Sequence, residues 1–175
     1  MNYREYIKSY KDFPKKDITF WDFTYLLNDV EARNSAIKDI KKFLHNKEFN
    51  KIVAIESKGF TIGAIIAHEL NKPLVLIRKP NLIPSDFYSE TFNKEYGTSE
   101  YQIKSDLINE NDKVIIIYDI MAGSGATKCA INLIERCGGK ITSLVYITEL
   151  EYLKGRQDLQ DYDVFSLVKI GGKND

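Results

Sequence analysis

Three short stretches carry residues whose types and spacing suit anion chemistry. The first is Asp119 followed by Ala122, Gly123, Ser124, Gly125, Ala126 and Thr127, a run with almost no side-chain bulk. It follows the β-branched run Val114–Ile117 and precedes an apolar helical stripe of Cys129, Ala130, Leu133, Ile134 and Cys137. A bare loop entering a helix presents unpaired backbone N–H groups and the positive end of the helix dipole, an arrangement that binds phosphate. Asp119 stands where a carboxylate can hold sugar hydroxyls or a metal-bound ligand. Ordinary strand-to-helix turns also favour Gly and Ser, so the stretch alone leaves both readings open. It has neither the Gly-Lys-Ser/Thr of a Walker loop nor the third spaced glycine of a dinucleotide fingerprint.

The second stretch is Glu56-Ser57-Lys58-Gly59, and the third begins Arg78-Lys79. Each follows a short apolar run. Lys58 supplies a cation, and Arg78 can grip an anion with a bidentate fork. Any one of these cations reads as a solvated surface residue. Their placement after consecutive strands, beside a neutral phosphate loop, points to a ligand with phosphates at both ends.

The elements that position these stretches alternate along the chain. Val30–Leu44 reads as an amphipathic helix with Ile37, Ile40 and Leu44 on one face. Lys51–Ile55, Pro73–Ile77, Lys113–Tyr118, Thr142–Ile147 and Val164–Val168 read as strands; Phe60–Leu70 and Thr127–Arg136 read as helices. This is an α/β pattern: a central, mostly parallel sheet flanked by helices on both faces. Ligands in such sheets bind beyond the carboxyl ends of the strands, where Glu56–Gly59, Arg78–Pro84 and Asp119–Thr127 emerge. Met1–Asp29, with Phe13, Phe20, Trp21, Phe23 and Tyr25, reads as an irregular aromatic arm. A polar stretch with scattered aromatics interrupts the core pattern, and residues 84–105 read as a two-stranded flap bending near Gly97.

Composition bounds the function. A chain of 175 residues suits a single domain spanning 1–175. Lys+Arg and Asp+Glu balance at 25 each, so no global field attracts nucleic acid or a membrane surface. The two cysteines, Cys129 and Cys137, are too far apart on one helix to bridge, as expected of reduced thiols. His45 and His68 have no zinc-site spacing, and the charged N-terminus is no signal peptide. The expectation is a soluble, cytoplasmic protein.

Several segments in order then point further. DFPKKDITFWDF, IVAIESKGFTIGAIIA, LIRKPNLIP, EYGTSEYQI, Tyr118–Thr127 and LKGRQDL together resemble the type I phosphoribosyltransferases, and within them the adenine-using branch, over Asp12–Val168. The resemblance implies transfer of a phosphoribosyl group from 5-phosphoribosyl-1-diphosphate to adenine, giving AMP and diphosphate, by a homodimer. It implies that the backbone at Ala122–Thr127 holds the 5′-phosphate and Asp119 the ribose hydroxyls. Lys58 and Arg78 face the diphosphate, Lys79 is a further substrate-binding residue, and Mg²⁺ is carried by the donor near Asp119. Phe20 stacks on the purine while the backbone near Thr19 reads its edge. Glu95 is the general acid at the purine's far nitrogen, and Tyr96 closes over the site. The runner-up readings are a transferase for xanthine, guanine or hypoxanthine and a non-catalytic donor-sensing regulator.

The chain departs from that pattern at several positions. Tyr118 replaces the first of two acidic residues, Lys58 an Arg, Trp21 an Arg and Leu82 a basic residue. The loop AGSGAT lacks the family's two Thr at their usual places, and the hydroxyls of Ser124 and Thr127 are the candidate replacements.

Overall fold

The β-branched runs become the inner strands of one sheet because a strand covered on both faces buries every side chain. A computed structural model describes residues 1–94 and 97–172. In chain order the elements are β1 (Lys8–Lys11), β2 (Thr19–Asp22), α1 (Thr24–Asn28), α2 (Val30–Leu44), β3 (Lys51–Ile55), α3 (Gly59–Glu69) and β4 (Leu74–Arg78). They continue as β5 (Phe87–Lys94), β6 (Gly97–Lys104), β7 (Lys113–Met121), α4 (Gly125–Arg136), β8 (Lys140–Leu150) and β9 (Asp163–Ile170). The main sheet has seven strands in the order β5-β6-β4-β3-β7-β8-β9. Strands β4, β3, β7, β8 and β9 are mutually parallel, and the β5–β6 hairpin joins antiparallel at the edge. Only Ile77↔Ile103 and Arg78↔Gln102 pair that hairpin to β4.

The period of two along β7 divides the core. Ile115 and Ile117 face Ile37 and Ile40 of α2 and Ile62 and Ile66 of α3. Val114 and Ile116 face Ala130, Leu133 and Ile134 of α4 and Tyr101 and Ile103 of β6. Helix α2 starts at Asp29, whose side chain accepts from the Ala32 amide at 2.8 Å. Its buried Ala36, Ile37, Ile40 and Leu44 repeat at helical spacing.

Two expectations change. The first 29 residues are irregular only in part: a 3-10 turn at Tyr3–Tyr6, the antiparallel ribbon β1–β2 and helix α1 lie there, and the irregular stretch is 12–18, around Pro14 and Lys15-Lys16-Asp17. Trp21, Phe23 and Leu26 draw this arm onto the core, since each is buried. The second change is at the site. Strand β7 runs past Tyr118 to Met121 because β8 keeps pairing with it as far as Met121↔Glu149. Helix α4 begins at Gly125, so Asp119 belongs to the strand and the loop between the two elements is only Ala122–Ser124.

Gly63 shows how closely α3 lies on the sheet. A Cβ there would stand 2.6 Å from the Ala54 Cβ. Gly63→Ala is expected to lower stability in urea unfolding, because overpacking costs about 1–3 kcal/mol, more than the roughly 1 kcal/mol that helix propensity returns.

Candidate active site

The carboxyl ends of β3, β4 and β7 bring the three sequence stretches to one edge of the sheet. A cavity of about 490 Å³ opens beside the stretch at β7, lined by Ile18, Phe92, Asn93, Tyr118, Ile120, Ala122, Gly123, Gly125, Ala126 and Leu153; Lys58, Arg78, Lys79, Asp119 and Phe20 are not among the residues that line it. Its walls thus come from the arm, the β5–β6 hairpin, the end of β7, the start of α4 and a C-terminal 3-10 turn at Glu151–Leu153.

Ala122–Ser124 leads into the twelve-residue α4, so the first amides of that helix and its positive dipole end lie at the cavity wall. Gly123 is exposed, and a Cβ there would meet nothing within 4 Å. Gly125 is different: its Cβ would stand 2.9 Å from the carbonyl oxygen of Asn93 on the hairpin. The hairpin therefore lies directly against the helix start. Cys129 Sγ and Asn132 Nδ2 also donate to Glu90, to its backbone carbonyl and its carboxylate respectively, and Arg136 Nη1 donates to the Ser89 carbonyl at 2.8 Å.

The two hydroxyls expected to serve the phosphate loop have other partners. Thr127 is buried, and its Oγ1 lies 2.7 Å from the Tyr146 hydroxyl inside the core. One turn into α4 its side chain faces the sheet, which leaves only its backbone to the cavity side. Ser124 Oγ donates to Asp158 at 2.5 Å, and Lys128 Nζ lies 3.4 Å from the same carboxylate. Those two partners hold the Asp158 carboxyl below the usual range.

The LKGR segment braces the loop from behind. Lys154 takes a left-handed conformation with φ of 56°. A Cβ on the next residue, Gly155, would stand 3.0 Å from the Gly123 carbonyl carbon and 3.1 Å from the Ala122 oxygen. Only glycine allows that approach without displacing the loop. Arg156 then grips the buried Glu149 with Nε at 2.8 Å and Nη2 at 2.5 Å, and donates Nη1 to the Val164 carbonyl at 3.0 Å.

Asp119 is partly exposed near the carboxyl end of β7, between the cavity-lining Tyr118 and Ile120. Burial pushes its carboxyl up to about 6, against the pull of the Lys58 charge and of the Asp119 and Ile120 amides. Beside it, Tyr118 Oη lies 3.0 Å from Tyr101 Oη. Burial raises both phenols, that of Tyr101 to about 12, so both stay neutral donors.

Arg78 and Lys79 converge on Glu56. Arg78 Nε donates to Glu56 Oε2 at 3.0 Å, and the Lys79 amide donates to the same oxygen at 2.8 Å. Burial alone would raise the Glu56 carboxyl, but these two donors hold it low. The Lys79 side chain is exposed. Lys58 reaches the arm: its Nζ lies 3.2 Å from Asp22 Oδ1 and 4.2 Å from the centre of the Phe20 ring. Phe20 also meets Phe13 edge-on at 5.3 Å, and Thr19 precedes it on β2. Glu95 and Tyr96 lie outside the described residues.

Ile18, Phe92, Asn93, Leu153, Asp22 and Asp158 were not singled out by sequence reasoning. Asp22 had a signal, the Phe20-Trp21-Asp22 of the arm, and Leu153 and Asp158 lie within the LKGRQDL segment. Ile18, Phe92 and Asn93 reach the site through tertiary contacts that leave no local pattern. Among the described residues no three His, Cys, Asp or Glu gather as metal ligands, and no helix is long and apolar enough to cross a membrane.

The chain matches the phosphoribosyl transferase domain family over residues 27–173. An adenine phosphoribosyltransferase of Halothermothrix orenii is 43% identical over 169 residues, covering 97% of this chain and 99% of that one. The adenine phosphoribosyltransferase structure from Thermoanaerobacter pseudethanolicus superposes with a TM-score of 0.92 at 37% identity, covering 95% and 97% of the two chains. That from Giardia lamblia, complexed with 9-deazaadenine, gives 0.93 at 29% identity, covering 98% and 97%. The chain belongs to the adenine phosphoribosyltransferase family.

Proposed function

We propose that this chain transfers the 5-phosphoribosyl group of 5-phosphoribosyl-1-diphosphate to adenine, forming AMP and releasing diphosphate. The observation that carries this reading is the convergence of the α4 start, Asp119 and the cationic β3 and β4 loops at one edge of the sheet. The purine complex of the Giardia relative supports the choice of base.

In this reading residues 1–175 act as one domain, residues 1–29 being the base-binding arm and 84–105 the flap. The amides at Ala122–Thr127 hold the 5′-phosphate, with no help from the Thr127 hydroxyl, and Asp119 holds the ribose hydroxyls. The C1′–oxygen bond breaks with its electron pair going to diphosphate, while a purine nitrogen bonds C1′. Charge therefore grows on diphosphate, where Lys58, Lys79 and Arg78 stabilise it. Phe20 supports the purine and the backbone near Thr19 reads its edge. Glu95 is the acid–base group at the purine's far nitrogen, taking up the proton that adenine loses as the new bond forms and returning it in the reverse direction, and Tyr96 covers the site against water.

A lone carboxylate beside a phosphate-rich ligand fits Mg²⁺, which takes one or two protein carboxylates and draws its other ligands from phosphates and water. The ion would be carried by the diphosphate donor, near Asp119, and would share the diphosphate charge. A homodimer in the cytoplasm completes the proposal.

The test is a substrate panel with Mg²⁺ and the donor. Adenine is expected to be consumed with release of diphosphate. Use of hypoxanthine, guanine or xanthine in its place would overturn the base assignment. Glu95→Ala is expected to lower turnover by about 10²–10⁴-fold while adenine affinity stays near that of the unaltered protein; steady-state kinetics beside calorimetry separate the two.

A further inference from the structure

The cation beside the purine platform has a second place to be. Lys58 is the last residue before α3, on the loop assigned to the diphosphate. Its ammonium is nevertheless directed at the arm: 3.2 Å from Asp22, 4.2 Å above the centre of the Phe20 ring and 5.5 Å from that of Phe23. The lysine lies over one face of the Phe20 ring, and Phe13 meets that ring in a T-shaped contact at 5.3 Å, which limits the aromatic surface left open to a planar base. In keeping with this, Ile18 lines the 490 Å³ cavity whereas Phe20 is not among its walls.

Asp22 is itself held firmly. Its Oδ1 accepts from the Thr24 hydroxyl at 2.6 Å and the Thr24 amide at 3.2 Å, besides Lys58. Burial would raise this carboxyl, but those donors keep it below its ordinary value, so it is a constant negative partner at neutral pH. Asp119, at the ribose position, also lies within electrostatic reach of Lys58. One ammonium thus lies within the influence of two carboxylates and an aromatic face, on a flexible four-carbon stem.

We propose that Asp22 is a positioning residue that parks Lys58 on the Phe20 ring, so that a diphosphate anion drawing Lys58 away uncovers the base subsite. The inference rests on the reading of Phe20 as the purine platform. Partly exposed ion pairs and cation–π contacts are each weak, whereas diphosphate offers several negative charges to the same ammonium. The parked arrangement therefore yields when the anion subsite fills. Adenine and diphosphate then bind with positive coupling, because each favours the state in which Lys58 has left the ring. Lysine suits this role better than arginine, whose planar fork would stack on the ring and hold more tightly.

Calorimetric titration of adenine, with and without inorganic diphosphate and Mg²⁺, tests this on the full chain. In the unaltered protein diphosphate is expected to tighten adenine binding by about 5–20-fold, within the usual range of such couplings. Lys58→Met is expected to bind adenine alone more tightly than the unaltered protein and to show no coupling. Asp22→Asn, which keeps hydrogen bonding to Thr24, is expected to fall between the two. If Lys58→Met weakens adenine binding in the absence of diphosphate, or if the coupling survives in that variant, the proposal is wrong. Phe20→Ala separates the underlying reading: unchanged adenine affinity there removes the base platform, and this inference with it. AMP formation that persists without coupling overturns the inference alone.

Discussion

Gly123→Asp is expected to raise the Michaelis constant for the phosphoribosyl donor by about 10²–10³-fold with no loss of fold. Gly123 is exposed, its φ is not in the left-handed region, and an added Cβ would meet nothing within 4 Å. The new side chain therefore has room, and a surface substitution of this kind changes stability by no more than about 0.5 kcal/mol. What it adds is a carboxylate beside the amides proposed to hold the 5′-phosphate. Two like charges about 4 Å apart repel by about 4 kcal/mol at the effective dielectric of a protein surface. Gly123→Asn has the same size without the charge and is expected to recover most of the loss. Donor kinetics of the two variants, with thermal unfolding as a control, decide the matter. Equal donor constants for Asp and Asn would show that no anion is held there.

Asp119→Asn is expected to lose activity while gaining stability. Burial raises the Asp119 carboxyl from the ordinary 3.8 to about 6. A carboxyl raised in the folded state stabilises fully below its unfolded value, and that contribution disappears as pH rises through about 6. At pH 8 the folded protein carries a charge that water would solvate better. Asparagine carries none, so the variant is expected to be more stable at pH 8 by about 1–3 kcal/mol, an advantage that shrinks towards zero near pH 4. Urea unfolding at the two pH values reads this directly. Loss of a charged acceptor for sugar hydroxyls is worth about 1.5–3 kcal/mol, so donor use is expected to fall by about 10–150-fold. In the unaltered enzyme the donor constant is expected to rise below pH 6 as this carboxyl takes up its proton. A variant equally stable at both pH values would mean that Asp119 is solvated as freely as any surface acid.

What was legible in the chain follows from its physics. Val114–Ile117 announced an inner strand because burial on both faces suppresses alternation, and β7 sits third from the β9 edge of the sheet, covered on both sides. The order of the anion loops was also readable, since each follows an apolar run. Directions of individual side chains were not. Thr127 looked like a loop hydroxyl, but α4 starts two residues earlier than its apolar stripe suggests, and the helical turn aims that hydroxyl at Tyr146. Lys58 looked like an anion ligand, yet its partner Asp22 lies 36 positions earlier, on the arm. Nothing local encodes such a contact. The arm itself looked irregular because a ribbon of two four-residue strands is too short to show a period.

The turn at Lys154–Gly155 has a bearing on when the protein becomes competent. The Ala122–Ser124 loop is backed by a segment that the ribosome delivers some thirty residues later, just ahead of the final strand. A nascent chain that has made β3, β4, β7 and α4 therefore possesses every anion-facing group but not the buttress behind them. On the proposed reading, capture of the donor is expected only once that later segment has emerged and docked, so a chain truncated before Lys154 should not bind it.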